Sequence, residues 1–295
     1  MNSIFLTVCI PTYNRGYVIE NTLQSLVEQT FQDFEVVIVD DGSTDDTALR
    51  IEKYNKSLNL GYIYKENGGK HTAVNVGLEN AQGFFFLVVD AKCKMLPDAF
   101  ENIKKLWDEI EDKSSYSGVM GRCVTTGGET IGRPFPQDIF ISSYVDFHFI
   151  SGVKNGGYGD CCETVRTDIM KNYRWPESNL TKFVPERYIY DKIGIKYKML
   201  CTNTIFKEVE YLSDGVTMNA RAHMRKNAVG FLWDCISKID EIFPSVKGIP
   251  LKTKFKQWVK YWCLLRVCGK TVPDRVKKRS FLGFSARVCS MFVRI

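Results

Sequence analysis

Two apolar, β-branched runs near the start of the chain each stop abruptly in polar, turn-forming residues. Residues 8–15 read Val-Cys-Ile-Pro-Thr-Tyr-Asn-Arg, and residues 36–43 read Val-Val-Ile-Val-Asp-Asp-Gly-Ser. Buried parallel strands have this pattern, because both of their faces are covered and only the carboxyl end meets water. Ligands of open α/β sheets bind at that end. The pattern therefore predicts that both strands deliver polar side chains to one rim of a sheet.

The residues expected at this rim suit a nucleotide that carries a diphosphate. A guanidinium matches phosphate oxygens, and a carboxylate accepts a hydrogen bond from a ring N–H. The rim residues are Thr12, Tyr13, Arg15, Asp40 and Asp41. No Gly-x-Gly-x-x-Gly follows the first strand, which argues against a dinucleotide-binding Rossmann domain.

The first third of the chain alternates predicted strands and helices. Strands are predicted at residues 4–10, 35–39, 61–65 and 84–89, and helices at 17–29, 43–56 and 72–81. This order predicts a parallel sheet with right-handed crossovers. Farther along, residues 129–160 are rich in Gly, Pro and aromatic residues, which is typical of a loop-rich region, and the end of the chain has a helical pattern.

Four segments, in their order and spacing, resemble the inverting family-2 glycosyltransferases of the GT-A fold. They are residues 11–15, 39–45, 66–73 with Asn75 and Gly77, and 88–91 followed by 96–98. The resemblance implies a GT-A-like α/β fold, in which a mainly parallel sheet is flanked by helices.

The resemblance also implies a division of the chain. Residues 1–220 would form the glycosyltransferase domain, with a nucleotide-sugar-binding half at 1–112 and an acceptor half at 113–220. Residues 221–295 would form a helical, basic C-terminal extension.

The same resemblance implies roles for the donor-binding residues. Pro11, Thr12 and Tyr13 would line the nucleobase and ribose pocket. Asp41 would accept hydrogen bonds from uracil, and Arg15 would face the diphosphate. The remaining donor-binding candidates are Lys70, Asn75, Asp90, Ala91 and Lys92. For Lys70 and Asn75, an ordinary turn with a surface lysine is the competing interpretation.

The end of the fourth strand departs from the family pattern. The resemblance implies an Asp-x-Asp motif that holds a divalent cation, Mn²⁺ or Mg²⁺, on the donor diphosphate. Here Asp90 keeps the first position, but Lys92 stands at the third. Three alternatives follow: metal-independent catalysis with Lys92 as the surrogate cation, a metal held weakly by Asp90 alone, or loss of activity. A cation beside the leaving diphosphate would stabilise its developing charge.

The second half of the chain offers a general base. Similar transferases place an acidic residue at a helix start under the acceptor cleft, and Glu186 fits that position best. Inversion needs a carboxylate that deprotonates the acceptor hydroxyl while the hydroxyl attacks C1. Asp191 is the second candidate. A plain N-terminal helix acid is the alternative interpretation of Glu186.

The end of the chain is strongly basic. The whole chain has a net charge of +6, yet residues 247–295 contain thirteen Lys or Arg and one acid, Asp274. Such a tail suggests an anionic partner. Apolar residues recur there at helical spacing, at Phe255, Trp258, Trp262 and Leu265 and again at Phe281, Phe284, Val288 and Met291. These stripes either lie in a membrane interface or pack on the catalytic body. We predict an anionic membrane surface, and no nucleic acid, as the partner.

Nothing in the sequence predicts a leader or a membrane span. The longest strongly apolar run, residues 84–89, is far shorter than the ~20 residues of a spanning helix. The N-terminus lacks a basic n-region. Ten cysteines without a Cys-x-x-Cys pair favour reduced core cysteines. We expect a cytoplasmic protein, peripheral on the inner face of the membrane.

These observations predict a hexosyltransferase-type enzyme. It would move a sugar from a nucleotide donor, a UDP-sugar, to a saccharide or lipid-linked acceptor with inversion, in surface polysaccharide or capsule biosynthesis. The alternative is a catalytically inactive, glycosyltransferase-like protein that binds nucleotide sugars. A sugar nucleotidyltransferase fits less well, because the basic phosphate loop expected near its N-terminus is missing.

Overall fold

A computed structural model describes residues 4–151, 157–211, 219–269, 275–277, 280–291 and 293 of the chain. Its strands are β1 (Leu6–Thr12), β2 (Phe34–Asp40), β3 (Leu60–Tyr64), β4 (Phe85–Val88), β5 (Cys93–Met95), β6 (Tyr116–Thr125), β7 (Ile139–Ser142), β8 (Cys161–Arg166) and β9 (Lys198–Val209). They form one sheet in the order β3-β2-β1-β4-β8-β6-β9-β5, and β7 pairs with β9.

Helices connect and cover these strands. They are α1 (Gly16–Val27), α2 (Thr47–Glu52), α3 (Lys70–Asn80), α4 (Ala99–Asp108), α5 (Tyr144–Phe149), α6 (Thr167–Met170), α7 (Arg187–Ile193), α8 (Ala220–Lys226), α9 (Ala228–Ser237), α10 (Phe243–Ser245), α11 (Leu251–Cys268) and α12 (Phe281–Ser290). A 3₁₀ turn, Lys113–Ser115, precedes β6, and a π-helical turn, Lys238–Ile242, joins α9 to α10. The region predicted to be loop-rich, 129–160, contains β7 and α5.

The sheet changes character at its middle. The strands β3, β2, β1 and β4 are parallel to one another, as the alternating pattern predicts. Beyond them, β8 is antiparallel to both β4 and β6, and β9 is parallel to β6 with register shifts. The sheet is therefore mixed, because the loop-rich second half does not continue the β-α-β repeat.

The parallel half brings the predicted rim together. β1 and β2 are buried along their whole length, and their register pairs Thr12 with Asp40. Side chains of β1 alternate between two hydrophobic clusters, so that Val8 packs with α1 and α4 while Cys9 packs with α3. With both faces covered, the carboxyl ends of the strands are where this half of the sheet can bind a ligand.

The apolar stripes of the two C-terminal helices differ in their exposure to solvent. On α11, Trp258 is buried, and Phe255, Trp262 and Leu265 are partly buried in the same cluster, which also contains Phe149 of α5. This stripe packs on the body of the protein, so the membrane interpretation is wrong for α11.

On α12 the small residues face inward. Gly283 lies against the ring of Trp258, while Phe281 is 86% exposed and Phe284 66% exposed. No helix of the described residues is both long and apolar enough to cross a membrane. Nine of the ten cysteines are buried.

Candidate active site

A cleft of about 910 Å³ opens at the carboxyl ends of β1, β2 and β4. Ten of the residues predicted from the sequence line it: Pro11, Thr12, Tyr13, Arg15, Asp41, Lys70, Asp90, Ala91, Lys92 and Glu186. Three predicted residues, Asp40, Asn75 and Asp191, are not among the lining residues. The cleft therefore unites the donor-binding candidates with one of the two candidate bases.

Asp41 is held by the loop that precedes α3. Its backbone N–H donates to the carbonyl of Thr12 at 2.8 Å. Its carboxylate accepts hydrogen bonds from the N–H groups of Gly68 and Gly69 at 2.8 and 2.7 Å, and it pairs with Lys65 at 2.7 Å. The hydroxyl of Thr12 is buried beside it and has no hydrogen-bond partner in the described part of the chain. This corner of the cleft thus combines a fixed carboxylate with an unpaired hydroxyl.

Asp40, although adjacent, has a structural role. Its carboxylate accepts from the N–H of Ser43 and from the hydroxyl of Tyr62, both at 2.7 Å. Both oxygens are thus committed to fixing the loop after β2. Only the second carboxylate of the Asp-Asp pair lines the cleft.

The loop before α3 requires glycine at residue 69. Its φ is +96°, and a Cβ there would lie 1.8 Å from the carbonyl oxygen of Lys182. Any side chain would therefore push apart two segments that border the cleft. This close approach places Lys70, the first residue of α3, opposite the chain segment that carries Glu186.

Lys70 joins two walls of the cleft. Its ammonium contacts the carboxylate of Asp90 at 2.5 Å and that of Glu186 at 2.8 Å. Burial would raise the pKa of Asp90, but Lys70, with smaller contributions from Lys207 and Lys92, lowers it to about 2. Asp90 is therefore a carboxylate at any physiological pH.

Asn75 supports the cleft from outside. Its side-chain NH₂ donates to the carbonyl of Trp175 at 2.9 Å and to Glu177 at 2.7 Å, and its oxygen accepts from the N–H of Trp175. The indole of Trp175 then donates to the carbonyl of Pro185, the residue before Glu186. Asn75 thus connects α3 to the base candidate, whereas the sequence predicted contact with the donor.

Asp191 is buried in a polar cluster behind the cleft lining, where its partners His148 and Arg187 are lining residues. It is 1% exposed, and one carboxylate oxygen lies 2.5 Å from Nδ1 of His148. Burial would raise the pKa of Asp191, but His148, Arg187 and Lys238 lower it. Its carboxylate connects α7 to α5 and to Lys238, and it is not among the lining residues.

The sequence interpretation missed three charged groups at this site. Lys65 follows β3, so the strand-end rule that selected Asp41 could have found it. Lys65 reaches the site through Asp41, whereas Glu163 of β8 and Lys207 of β9 line the cleft. These two lie in the mixed half, where no simple pattern predicts which strands are neighbours. Burial raises the pKa of Glu163 to about 7, although Lys207 opposes this shift.

The residues around Asp90 do not fit a divalent cation. Mg²⁺ and Mn²⁺ prefer several oxygen ligands. Here Lys92 takes the place of a second carboxylate, and Lys70 already contacts Asp90. Within the described residues, no group of three or more His, Cys, Asp or Glu side chains could hold a metal ion.

Most of the chain matches a known family model. The model of the family described as "Glycosyl transferase family 2" matches residues 7–198. The chain belongs to glycosyltransferase family 2. The match includes β1, β2, β4 and the segment that carries Glu186, which are the parts that build the cleft.

Two relatives show how this family member compares with others. Poly(ribitol-phosphate) β-N-acetylglucosaminyltransferase TarS of Staphylococcus aureus is 44% identical over 138 residues, 45% of this chain and 23% of TarS. The minor teichoic acid biosynthesis protein GgaB of Bacillus subtilis is 25% identical over 302 residues, 96% of this chain and 32% of GgaB. The chain thus spans well under half the length of either relative.

The fold is also that of a solved glycosyltransferase. A crystal structure of S. aureus TarS residues 1–349 with UDP-GlcNAc superposes with a TM-score of 0.60 at 20% identity. The match covers 97% of this chain and 79% of that one. The predicted GT-A-like α/β fold is confirmed, with a mixed sheet and a helical C-terminal region.

Proposed function

We propose that this family-2 glycosyltransferase transfers a sugar from a UDP-sugar to a saccharide or lipid-linked acceptor with inversion, in the synthesis of a bacterial surface polysaccharide. The observation that carries this proposal is the shared cleft. It places Thr12, Asp41 and Asp90 from three strand ends opposite Glu186. The UDP-GlcNAc bound by TarS, a relative by sequence and fold, supports the choice of donor.

In the proposed division of labour, residues 1–112 hold the donor and residues 113–220 hold the acceptor. Pro11, Thr12 and Tyr13 would surround the nucleoside, with Asp41 on the uracil ring. Arg15 would meet the diphosphate, because a guanidinium matches phosphate oxygens.

Glu186 would act as the general base. Its carboxylate takes the proton of the acceptor hydroxyl, and the hydroxyl oxygen forms a bond to C1 of the sugar. The bond from C1 to the diphosphate oxygen breaks, and its electron pair leaves on UDP. Attack opposite the leaving group inverts the anomeric centre. Positioned general bases of this kind accelerate proton transfer by roughly 10²–10⁴-fold.

The experiment begins with binding. UDP is titrated calorimetrically, and a panel of UDP-sugars is screened for a rise in melting temperature, because a bound ligand raises apparent stability by mass action. The stabilising sugar is then used to measure UDP release. No affinity for UDP or for any UDP-sugar would contradict the proposal.

Glu186→Gln tests the base. We expect turnover to fall by about 10²-fold or more while UDP binding stays within a few-fold. The matched control is Glu79→Gln, which also removes an exposed carboxylate from an ion pair, with Arg174, but lies outside the cleft. Equal turnover in Glu186→Gln and wild type would remove Glu186 from this role.

Lys92 favours a second candidate function, a nucleotide-sugar-binding protein without turnover. Lys92 stands at the third position of the Asp-x-Asp motif, and Lys70 forms an ion pair with the candidate base Glu186. Both features would suit a protein that still binds a nucleotide sugar but no longer transfers the sugar. Wild-type protein that binds UDP-sugars but releases no UDP with any acceptor tested would support this candidate.

The proposal extends to the location of the protein. On α12, Gly283, Ala286 and Ser290 are buried, whereas Phe281, Phe284 and Met291 are 86%, 66% and 64% exposed. Large apolar side chains are thus presented outward on a strongly basic segment. A basic helix with an apolar outer face is suited to an anionic membrane interface, so we place the protein peripherally on the inner face of the membrane, where a lipid-linked acceptor would be found.

Vesicle sedimentation tests this location. We expect wild type to sediment with vesicles that contain phosphatidylglycerol but not with pure phosphatidylcholine, and Phe284→Ser to reduce binding several-fold. Leu49→Ser is the matched control, because Leu49 is equally exposed at 66% but lies on α2. Equal losses from both variants, or no sedimentation of wild type, would contradict attachment through α12.

A further inference from the structure

The lysines around Asp90 indicate how the donor diphosphate is held, an inference that rests on the function proposed above. We infer that Lys70, Lys92 and Lys207, called here the ammonium cluster, bind the diphosphate directly and take the place of the divalent cation.

The ammonium cluster is assembled from three separate elements. Lys70 is the first residue of α3, Lys92 follows β4, and Lys207 lies in β9. All three line the cleft that also contains Asp41 and Asp90. Three cations reach one region from distant parts of the chain, so the fold, and not a local run of basic residues, brings them together.

Two members of the cluster lack a carboxylate partner. Among the residues that the structure describes, neither Lys92 nor Lys207 forms an ion pair. The ammonium of Lys92 lies 5.9 Å from the ring centre of Tyr211, and that of Lys207 lies 3.5 Å from the carbonyl oxygen of Cys161. Asp90 is near enough for both ammonium groups to affect its pKa, but it contacts neither of them. Partly buried ammonium groups without a contacting anion are costly. A ligand that brings two phosphate groups would supply the missing negative charge.

Ammonium groups can replace a divalent cation in this reaction, because the cation acts through its positive charge. A divalent cation on the diphosphate stabilises the negative charge that forms as the glycosidic bond breaks. Fixed ammonium groups do the same without being loaded from solution. Binding of the diphosphate should therefore be insensitive to chelators, which distinguishes the ammonium cluster from a weak metal site at Asp90.

Calorimetric titration with UDP and UMP tests the inference. We expect wild type to bind UDP with the same Kd, within about twofold, in EDTA and in Mn²⁺. Lys92→Met should weaken UDP about tenfold or more and UMP by less than threefold, because UMP lacks the second phosphate. Lys94→Met is the matched control, since Lys94 is exposed, lies outside the cleft and pairs with Glu208.

Lys92→Asp provides the converse test. It restores the Asp-x-Asp spacing with Asp90, so we expect weak UDP binding in EDTA and at least tenfold tighter binding when Mn²⁺ is added. Lys207→Met is the second removal variant and should resemble Lys92→Met. Melting temperatures of all variants establish that they are folded, and the wild-type comparison in EDTA tests the inference even if a variant is not.

The outcomes separate the inference from the function on which it rests. Wild-type binding of UDP that appears only with Mn²⁺ would overturn the ammonium cluster and leave the glycosyltransferase proposal intact. Unchanged UDP affinity in both removal variants would also overturn it. Failure to bind UDP, UMP and every UDP-sugar under all conditions would instead overturn the proposed function.

Discussion

Asp41 and Asp90 occupy equivalent places, since each follows a buried parallel strand, yet their surroundings differ. The side chain of Asp41 is 4% exposed, and that of Asp90 is 40% exposed. Asp41 is enclosed by backbone N–H groups and by Lys65. Asp90 is open to the cleft and contacts a lysine that it shares with a second carboxylate. The comparison separates a lining carboxylate that backbone donors hold in place from one that the fold leaves largely exposed in the cleft.

The chain that follows each strand explains the difference. After β2 the chain continues through α2 and β3, and the Gly68–Gly69 loop then covers Asp41. After β4 the chain turns at once, because the N–H of Cys93 donates to the carbonyl of Asp90 at 2.9 Å. This tight turn uses the backbone of Asp90 and leaves its side chain in the cleft.

The largest predicted effect is a difference in stability between Asp41→Ala and Asp90→Ala. Asp41→Ala leaves two backbone donors and Lys65 without their partner, so we expect a loss of about 3–5 kcal/mol in the free energy of unfolding. Asp90→Ala removes an exposed ion pair and should cost less than about 1 kcal/mol. Urea denaturation measures both values, and similar losses in the two variants would end the distinction.

Glu163, another carboxylate of the cleft, differs from Asp90 in the direction of its pKa shift. Its pKa is raised to about 7, whereas that of Asp90 is lowered to about 2. The folded state therefore favours protonated Glu163, and the stability from this group is complete below its unfolded pKa and lost as pH rises towards 7. Between pH 4.5 and 8, wild type should lose up to about 3 kcal/mol relative to Glu163→Gln.

Urea denaturation of both proteins across this pH range tests the expectation. The matched control is Glu208→Gln, which changes a carboxylate of β9 that lies outside the cleft and pairs with Lys94. Parallel stability curves for wild type and Glu163→Gln would show that Glu163 is ionised throughout.

The smallest predicted effect is the difference in stability between Lys65→Met and Lys70→Met. Lys65→Met removes one charged hydrogen bond from Asp41, which keeps its two backbone donors, so we expect a loss of about 1–2 kcal/mol. Lys70→Met should cost less than about 1 kcal/mol, because its partners are exposed, but it should weaken UDP binding. Urea denaturation measures the stability of both variants, and calorimetry measures their affinity for UDP. A larger loss of stability in Lys70→Met, with weaker UDP binding only in Lys65→Met, would contradict these roles.

Much of the parallel half could be predicted from sequence. The apolar runs of β1, β2 and β4 stop where the cleft begins. Strand-end position selected Thr12 and Asp41, together with Asp40, and the family resemblance added Asp90. The same rule applies to Lys65 after β3. Glu163 lies in the mixed half of the sheet, where the order of strands depends on long-range pairing that no local pattern records.

Two of the predicted residues outside the cleft, Asn75 and Asp191, are there for the same geometric reason. Asn75 is five residues from Lys70, and Asp191 is five residues from Glu186. Five residues correspond to a rotation of about 140° around a helix, so a helix that points one member of each pair into the cleft points the other away. Helical periodicity was therefore sufficient to separate them. The opposite exposure of α11 and α12 was not predictable, because their apolar spacing is the same.

The ammonium group of Lys70 forms ion pairs with carboxylates on two walls of the cleft, those of Asp90 and Glu186. In the proposed mechanism, donor recognition and acceptor activation would therefore depend on the same charge. A substitution that moves Asp90 would also change the electrostatic environment of Glu186. We expect changes of donor preference among such enzymes to be accompanied by compensating changes around the base.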